Sequence, residues 1–474
     1  MPKTKENPME TMPLSRLIIR IGIPLMLSLL ISSLYNVVDS VYVSYVSEEA
    51  LTAVSLAAPV QTLMAALGSG IAVGLNAVVS RALGEKDEEK AKKAASAAIF
   101  LAICAWLLIA VCGLLFIEPY FTWQAGGNER IAEYGADYLR ICMLFSLGQM
   151  GQWVFDRLVI ASGRSSLFLF TLSAASVTNL ILDPIFIFGF FGIPAMGTAG
   201  AAIATVIGQS AGCVAGYFIN CRYNREIPIA FTFRPDIESL RSILRVGIPT
   251  TVVQGVVSVV GICMNSLIIR FSTTAVVVYG ICTKIQSVVT VGVHGLDNGL
   301  IPIVAYNYGA GREKRIIEAI RWTLIYAFLI YGLFLILLEG APALVLRLFD
   351  ASEDMMSIGV PALRIFALSY LASTVGMVLA AVFQGLGLGT YSMYLTMARQ
   401  VIFPVGLVFL FIPFRRLNLI WLAFLLAELL ALPLGLALWK RAKRKVLADC
   451  YIYDRDSSDI EIRTAKKIVK GAEG

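Results

Sequence analysis

The chain has 474 residues, 58% of them hydrophobic and 15% charged, and its mean hydropathy is +0.78. That composition excludes a soluble globular domain, because apolar runs of about 20 residues, long enough to span a bilayer, recur along nearly the whole chain. The formal net charge of +7 does not point to nucleic acid, since the basic residues gather in alternate loops and so report membrane topology.

In chain order, residues 1–15 form a short cytoplasmic N-terminus. No small-residue cleavage site follows the first apolar run, so that run is expected to stay as a helix and not to be removed as a signal peptide. Six spans fall at roughly 16–46, 51–82, 93–117, 131–160, 166–190 and 197–221 and make an N-terminal lobe. A polar stretch, 222–241, is expected as a cytoplasmic linker. Six more spans, at roughly 242–270, 275–307, 315–339, 357–387, 391–414 and 418–441, make a C-terminal lobe, and 442–474 is a charged cytoplasmic tail. The fold class is thus an all-α polytopic membrane protein of about twelve transmembrane helices. Arg16 and Arg20, then Arg81 to Lys93, Arg222 to Arg245, Arg312 to Arg321 and Lys440 to Lys445 fall on one side. The positive-inside rule therefore puts both termini in the cytoplasm of a cell-membrane protein. The cysteines lie mostly inside apolar runs without ligand spacing and are expected as packing residues.

The two halves repeat each other. Gly22-Ile23-Pro24 returns as Gly247-Ile248-Pro249; Gln61, Gly70, Gly74 and Gly84 return as Gln286, Gly295, Gly299 and Gly309; Gly163 returns as Gly387. Each repeat holds an even number of spans, so the halves share one orientation and are related by an axis along the membrane normal. Two like-oriented bundles leave a cleft between them and can rock to open on either side.

Span one carries Asp39, and span five carries Asn179 and Asp183, four residues apart on one helix face. Pro184 deletes a backbone hydrogen bond beside them. Thr205 lies in span six. With a rise of about 1.5 Å per residue, Asp39, Asp183 and Thr205 each sit ~10–12 Å from the outer end of their span, at one level. A carboxylate at such depth costs at least ~2.5–3.5 kcal/mol and faces a partner or a water-filled cavity. Two carboxylates, an amide and a hydroxyl suit a shared proton or a hard cation. Hydrogen bonding between helices accounts for the amide and hydroxyl, and poorly for two carboxylates.

At these residues the chain resembles the MATE (multidrug and toxic compound extrusion) family over about 16–441. The resemblance rests on the Ile-Pro openings of spans one and seven, Asp39, Ser80-Arg81-Ala82-Leu83-Gly84, Tyr306-Asn307-Tyr308-Gly309-Ala310 and Asn179-x-x-x-Asp183-Pro184. It implies a V-shaped pair of six-helix lobes and an antiporter that exports organic, often cationic, amphipathic compounds against inward Na⁺ or H⁺. It also implies an ion-coupling site at Asp39, Asn179, Asp183 and Thr205, with Thr198 as the rival for the last place. Pro24 is the residue about which the first helix would bend. Another branch of the family couples through acidic residues in spans seven and ten. Here those spans hold Gln254, Asn265 and Gln384, so a second-lobe coupling site is discounted.

Gln61, Gln152, Met264, Asn265, Gln286, Asp297 and Arg399 are candidate substrate-lining residues, and Arg399 has no partner that the sequence names. His294 and Asp297 share a helix face, with Lys284 more than three turns away. Asp156 and Arg157 are expected as a self-satisfied ion pair. The expected partners are small organic substrates and the lipid bilayer, with no nucleic acid and a monomeric state. No cofactor is expected, and no metal beyond Na⁺ at the coupling site. Two alternatives remain. A flippase for a lipid-linked precursor should have a markedly basic cleft. An intramembrane enzyme lacks support: there is no HExxH motif, and one histidine cannot build a metal site. No GxxxxGK[ST] loop is present, which leaves an ion gradient as the energy source.

Overall fold

The computed structural model describes residues 8–472 except 225, 230, 232, 233 and 350; the side chains of 258, 262, 273 and 445–472 lie outside the described set. A short helix α1 (Pro8–Thr11) precedes the N-terminal lobe, built from α2 (Leu14–Ser44), α3 (Glu48–Gly84), α4 (Glu88–Gln124), α5 (Glu129–Leu144), α6 (Leu147–Ala161), α7 (Ser165–Phe188) and α8 (Gly197–Tyr223). The C-terminal lobe holds α9 (Ile237–Ile268), α10 (Thr273–Gly309), α11 (Glu313–Gly340), α12 (Pro342–Arg347), α13 (Glu353–Gly385), α14 (Gly389–Met397), α15 (Phe403–Phe411) and α16 (Leu417–Ala472).

Among the described residues, eleven helical segments are long and apolar enough to cross a membrane. The expected span 131–160 is not among them: the structure divides it into α5 and α6 at Phe145 and Ser146. The break is satisfied locally: the Trp106 indole donates to the Leu144 carbonyl at 2.8 Å, and the Ser146 hydroxyl donates to Met143 O at 3.0 Å. Beyond it, Gly148 and Gly151 bring α6 against Ser210 and Cys213 of α8. The expected tail is helical too, as α16 continues well past Lys440. Pro24 lies within α2, which runs through it without interruption, and Ser28 Oγ donates to the Pro24 carbonyl at 2.7 Å.

The repeated glycines explain how the lobes meet. Gly70 of α3 lies against Gly247 and Thr251 of α9, and its repeat partner Gly295 of α10 lies against Met26 of α2. Gly84 abuts the Tyr306 carbonyl, and Gly309 abuts the Arg81 carbonyl. A Cβ at any of these positions would collide with the other lobe, and small residues are what let membrane helices approach this closely. The close contacts lie in the first part of α2 and α9 and the last part of α3 and α10. The lobes therefore close at the end that carries α1. Towards the opposite end Leu34 and Val37 on α2, Tyr45 just past its end and Val259 on α9 are exposed, and Gly261 and Gly280 face open space.

Candidate functional site

Three helices of the N-terminal lobe converge on the carboxylates singled out above. Asp183 is fully buried on α7, six residues before Gly189 ends that helix in the left-handed region at φ +80°. The Asn179 amide nitrogen, one turn back on the same face, donates to Asp183 Oδ1 at 3.1 Å and to Thr205 Oγ1 of α8 at 3.4 Å. Asp39 of α2 faces Asp183 at side-chain hydrogen-bonding range, and Tyr35, one turn earlier on α2, has both carboxylates as neighbours. Oδ1 of Asp39 and Oδ2 of Asp183 are sealed from solvent and receive no hydrogen bond. The structure thus brings Asp39, Asn179, Asp183 and Thr205 together. Thr198 is turned elsewhere, donating to the Tyr134 carbonyl at 3.1 Å.

Two unit negative charges about 4 Å apart repel by roughly 4 kcal/mol at an effective dielectric of 20. The facing pair with two orphaned oxygens is therefore poised to hold one positive charge. The donor set bears on which one. Asn179 presents its N–H₂ to the pair and so supports a carboxylate there.

Next to this pair lies a cavity of about 200 Å³. Its polar wall includes Tyr35, Asn179, Thr205, Gln149, Gln152 and Gln209; Leu25, Leu29, Trp153, Phe168 and Leu172 supply apolar and aromatic surface. Arg157 and Asn298 border it as well, and the Arg157 guanidinium donates to Asn298 Oδ1 at 2.8 Å, joining α6 to α10 across the lobes.

Several expectations change. Asp156 and Arg157 are not an ion pair: Asp156 accepts from Thr171 Oγ1 at 2.5 Å, while Arg157 reaches the other lobe. Adjacent helical residues point about 100° apart, so chain neighbours seldom pair. Met264 is buried and lines nothing. Gln61 does not present its amide nitrogen to the cleft but donates it to Tyr138 at 3.0 Å. Asn265, Gln286 and Lys284 are exposed, and none borders the cavity. Of the seven lining candidates only Gln152 is at its wall. Arg399 is buried in the C-terminal lobe, paired through Nε and Nη2 with Glu428 of α16 at 2.6 and 3.1 Å. Glu428 escaped the sequence reading; a carboxylate inside the last apolar run was the available signal. The cysteines are mixed: Cys142 and Cys282 are buried, whereas Cys104, Cys221 and Cys263 are exposed.

Two like-oriented helical lobes, closed at one end around an internal cavity, define a polytopic membrane transporter with a central pathway. The chain belongs to the MatE family, whose pattern matches residues 24–185 and 249–410, one copy in each lobe. Among curated relatives it is similar to the multidrug export protein MepA of Staphylococcus haemolyticus (strain JCSC1435), with 24% identity covering 81% of this chain and 84% of that one. It is also similar to MepA of Staphylococcus aureus (strain MRSA252), with 23% identity covering 88% and 92%. A solved structure described as the outward-facing conformation of a multidrug resistance MATE family transporter superimposes with TM-score 0.85 at 25% identity, covering 94% of this chain and 99% of the other. A second, from Pyrococcus furiosus, is described as a MOP superfamily transporter whose reversed binding-pocket polarity suggests a different function; it superimposes with TM-score 0.83 at 26% identity.

Proposed function

We propose that this protein is a multidrug exporter of the cell membrane that expels amphipathic organic cations in exchange for protons. The observation that carries the coupling is the facing Asp39–Asp183 pair, with one sealed and unpartnered oxygen on each. Read with the positive-inside rule, the basic end at which the lobes close is cytoplasmic, so this conformation opens outward. In it the pair takes up a proton from outside while substrate leaves. A neutralised pair can then be enclosed, because a buried unpaired charge no longer opposes closure. Inward opening releases the proton and loads substrate. The orphaned carboxylate oxygens favour a shared proton, and Na⁺, with Asn179 and Thr205 as neutral oxygen ligands, is the rival that separate gradients distinguish. Trp153, Phe168 and Tyr35 give the cavity aromatic surface for the apolar part of an organic guest. The flippase alternative is not favoured: Arg157 is the one basic residue among those lining the cavity, and it is already engaged by Asn298.

The test is purified protein in liposomes, with ethidium followed under separately imposed pH and Na⁺ gradients. An inward proton gradient should drive export and a Na⁺ gradient should not. Asp39→Asn and Asp183→Asn should each reduce driven export to background while the protein still elutes as a single folded species. Ion-driven export that survives in the double variant would sink the coupling assignment.

A further inference from the structure

The C-terminal lobe contains a second buried polar centre that this coupling scheme leaves unused. Arg399 stands on a π-helical turn, Ala398–Ile402, just ahead of Pro404. The proline has no N–H for the carbonyl one turn back, and the helix widens there; π turns of this kind recur at functional sites. Gly376 of α13 makes room for the arginine, since a Cβ there would lie 2.6 Å from its Cδ and Nε. Glu428 occupies the guanidinium with two hydrogen bonds. Asp297 of α10 lies within electrostatic reach of the same arginine, as does Tyr331 of α11, and His294 is one turn back on α10.

The guanidinium pairs with Glu428 and makes no ion pair with Asp297. Oδ1 of Asp297 is sealed from solvent without any hydrogen-bond donor. An uncompensated charge on a sealed oxygen destabilises a fold. The group that relieves it is a proton. A metal cation would meet the guanidinium's field, and no cluster of three or more potential ligands is present among the described residues.

The repeat supplies an independent observation. Counting along from Gly22 and Gly247 sets Ala72 opposite Asp297, and counting from Gly163 and Gly387 sets Ala175 opposite Arg399. The N-terminal lobe builds the same architecture with alanines at those places, so the fold itself does not require charge there. Conversely, Asp39 and Asp183 are matched by Met264 and Leu407. These two centres thus stand at positions where the other lobe is apolar. Asp297 also sits where lobe motion is felt: its neighbours Leu296 and Gly299 pack on Gly22 and Ile21 of α2, and Asn298 holds Arg157.

We propose that Asp297 is a second proton-binding site, in the C-terminal lobe, loaded and emptied as α10 moves against the N-terminal lobe, with the exposed His294 as its nearest relay. The inference does not depend on the coupling role of Asp39 and Asp183. It is tested by infrared difference spectroscopy of the purified full chain between acidic and alkaline buffer, in a background carrying Asp39→Asn, Asp183→Asn and Asp156→Asn. A protonated-carboxyl band that titrates should persist in that background and vanish when Asp297→Asn is added. Glu428→Gln is the second arm. It frees Arg399 to pair with Asp297, so the band should be lost although Asp297 is still present. Absence of a titrating band in the background, or its persistence after either further change, overturns the proposal. If Asp297→Asn fails to fold, the Glu428→Gln arm decides alone. Ethidium export is measured separately, so failure here and failure of the first-lobe coupling reading remain distinct.

Discussion

At the scale of single residues, a buried ion pair behaves differently from either of its members. Removing one partner of a buried pair costs about 3–5 kcal/mol, whereas replacing both by apolar groups is often neutral. Arg399→Met should therefore lower thermal stability in detergent sharply, and adding Glu428→Leu should restore most of it; equal losses in the single and double variants would contradict this account of the pair. In the first lobe, Asn179→Ala removes a hydrogen bond to the pair and no charge. Under proton coupling it should weaken driven ethidium export several-fold, far less than Asp183→Asn does. Equal damage from both would point instead to Na⁺ with Asn179 as a ligand. Asp39, Asn179 and Asp183 were legible because carboxylates stand out in apolar runs and an interval of four residues fixes a helix face. The pairing of Arg399 with Glu428 was not, since nothing in helical periodicity says which distant span a buried arginine meets. That Met264 is packed here was not legible for a related reason: on a helix apolar all round, sequence does not tell the packed face from the open one.

At the scale of elements, the short α1 acts as a strap across the closed end. Glu10 accepts from Arg312 Nη2 of the second lobe at 2.9 Å and lies 3.7 Å from Lys86 Nζ of the first. Arg315 donates to the Met9 and Met12 carbonyls at 3.1 and 2.9 Å, and Met9 is fully buried. The strap can hold both lobes only while they are together at this end. Glu10→Gln should accordingly shift the population towards the inward-open form. Partly exposed ion pairs contribute at most about 1 kcal/mol, so the shift is roughly fivefold in the ratio of states. Double electron–electron resonance distances between spin labels on the two lobes would register it, and high salt should mimic it in the unsubstituted protein. An unchanged distance distribution would remove α1 from the conformational balance. Eleven of the expected crossings were legible from hydropathy, but the break within the expected fourth was not. Apolarity carries through Phe145 and Ser146 uninterrupted, and the Trp106 indole that relieves the break comes from another helix.

At the scale of the whole molecule, the repeat was visible as ordered glycines, but its meaning was not. Matching Gly70 to Gly295 says that the halves are related, and only their packing on α9 and α2 shows that these glycines are the surface along which the lobes close. Which end is closed is also absent from the sequence, because one chain must adopt both states. The closed end offers a direct test of rocking. Arg81 of α3 lies over the Tyr308 ring of α10, 4.6 Å from its centroid, and the backbones beside them touch at Gly84 and Gly309. If transport requires these ends to part, joining them must stop it. Arg81→Cys with Tyr308→Cys, in a chain whose eight native cysteines are replaced, should be bridged by a short bis-maleimide. Export of ethidium should then fall to background, while uptake of the dye from the outward side into the cavity is preserved. Each single cysteine variant treated with the same reagent should keep its activity, which separates locking from chemical damage. Export that continues with the bridge complete would mean that substrate crosses without separation of α3 from α10, and the two-lobe rocking mechanism would have to be abandoned.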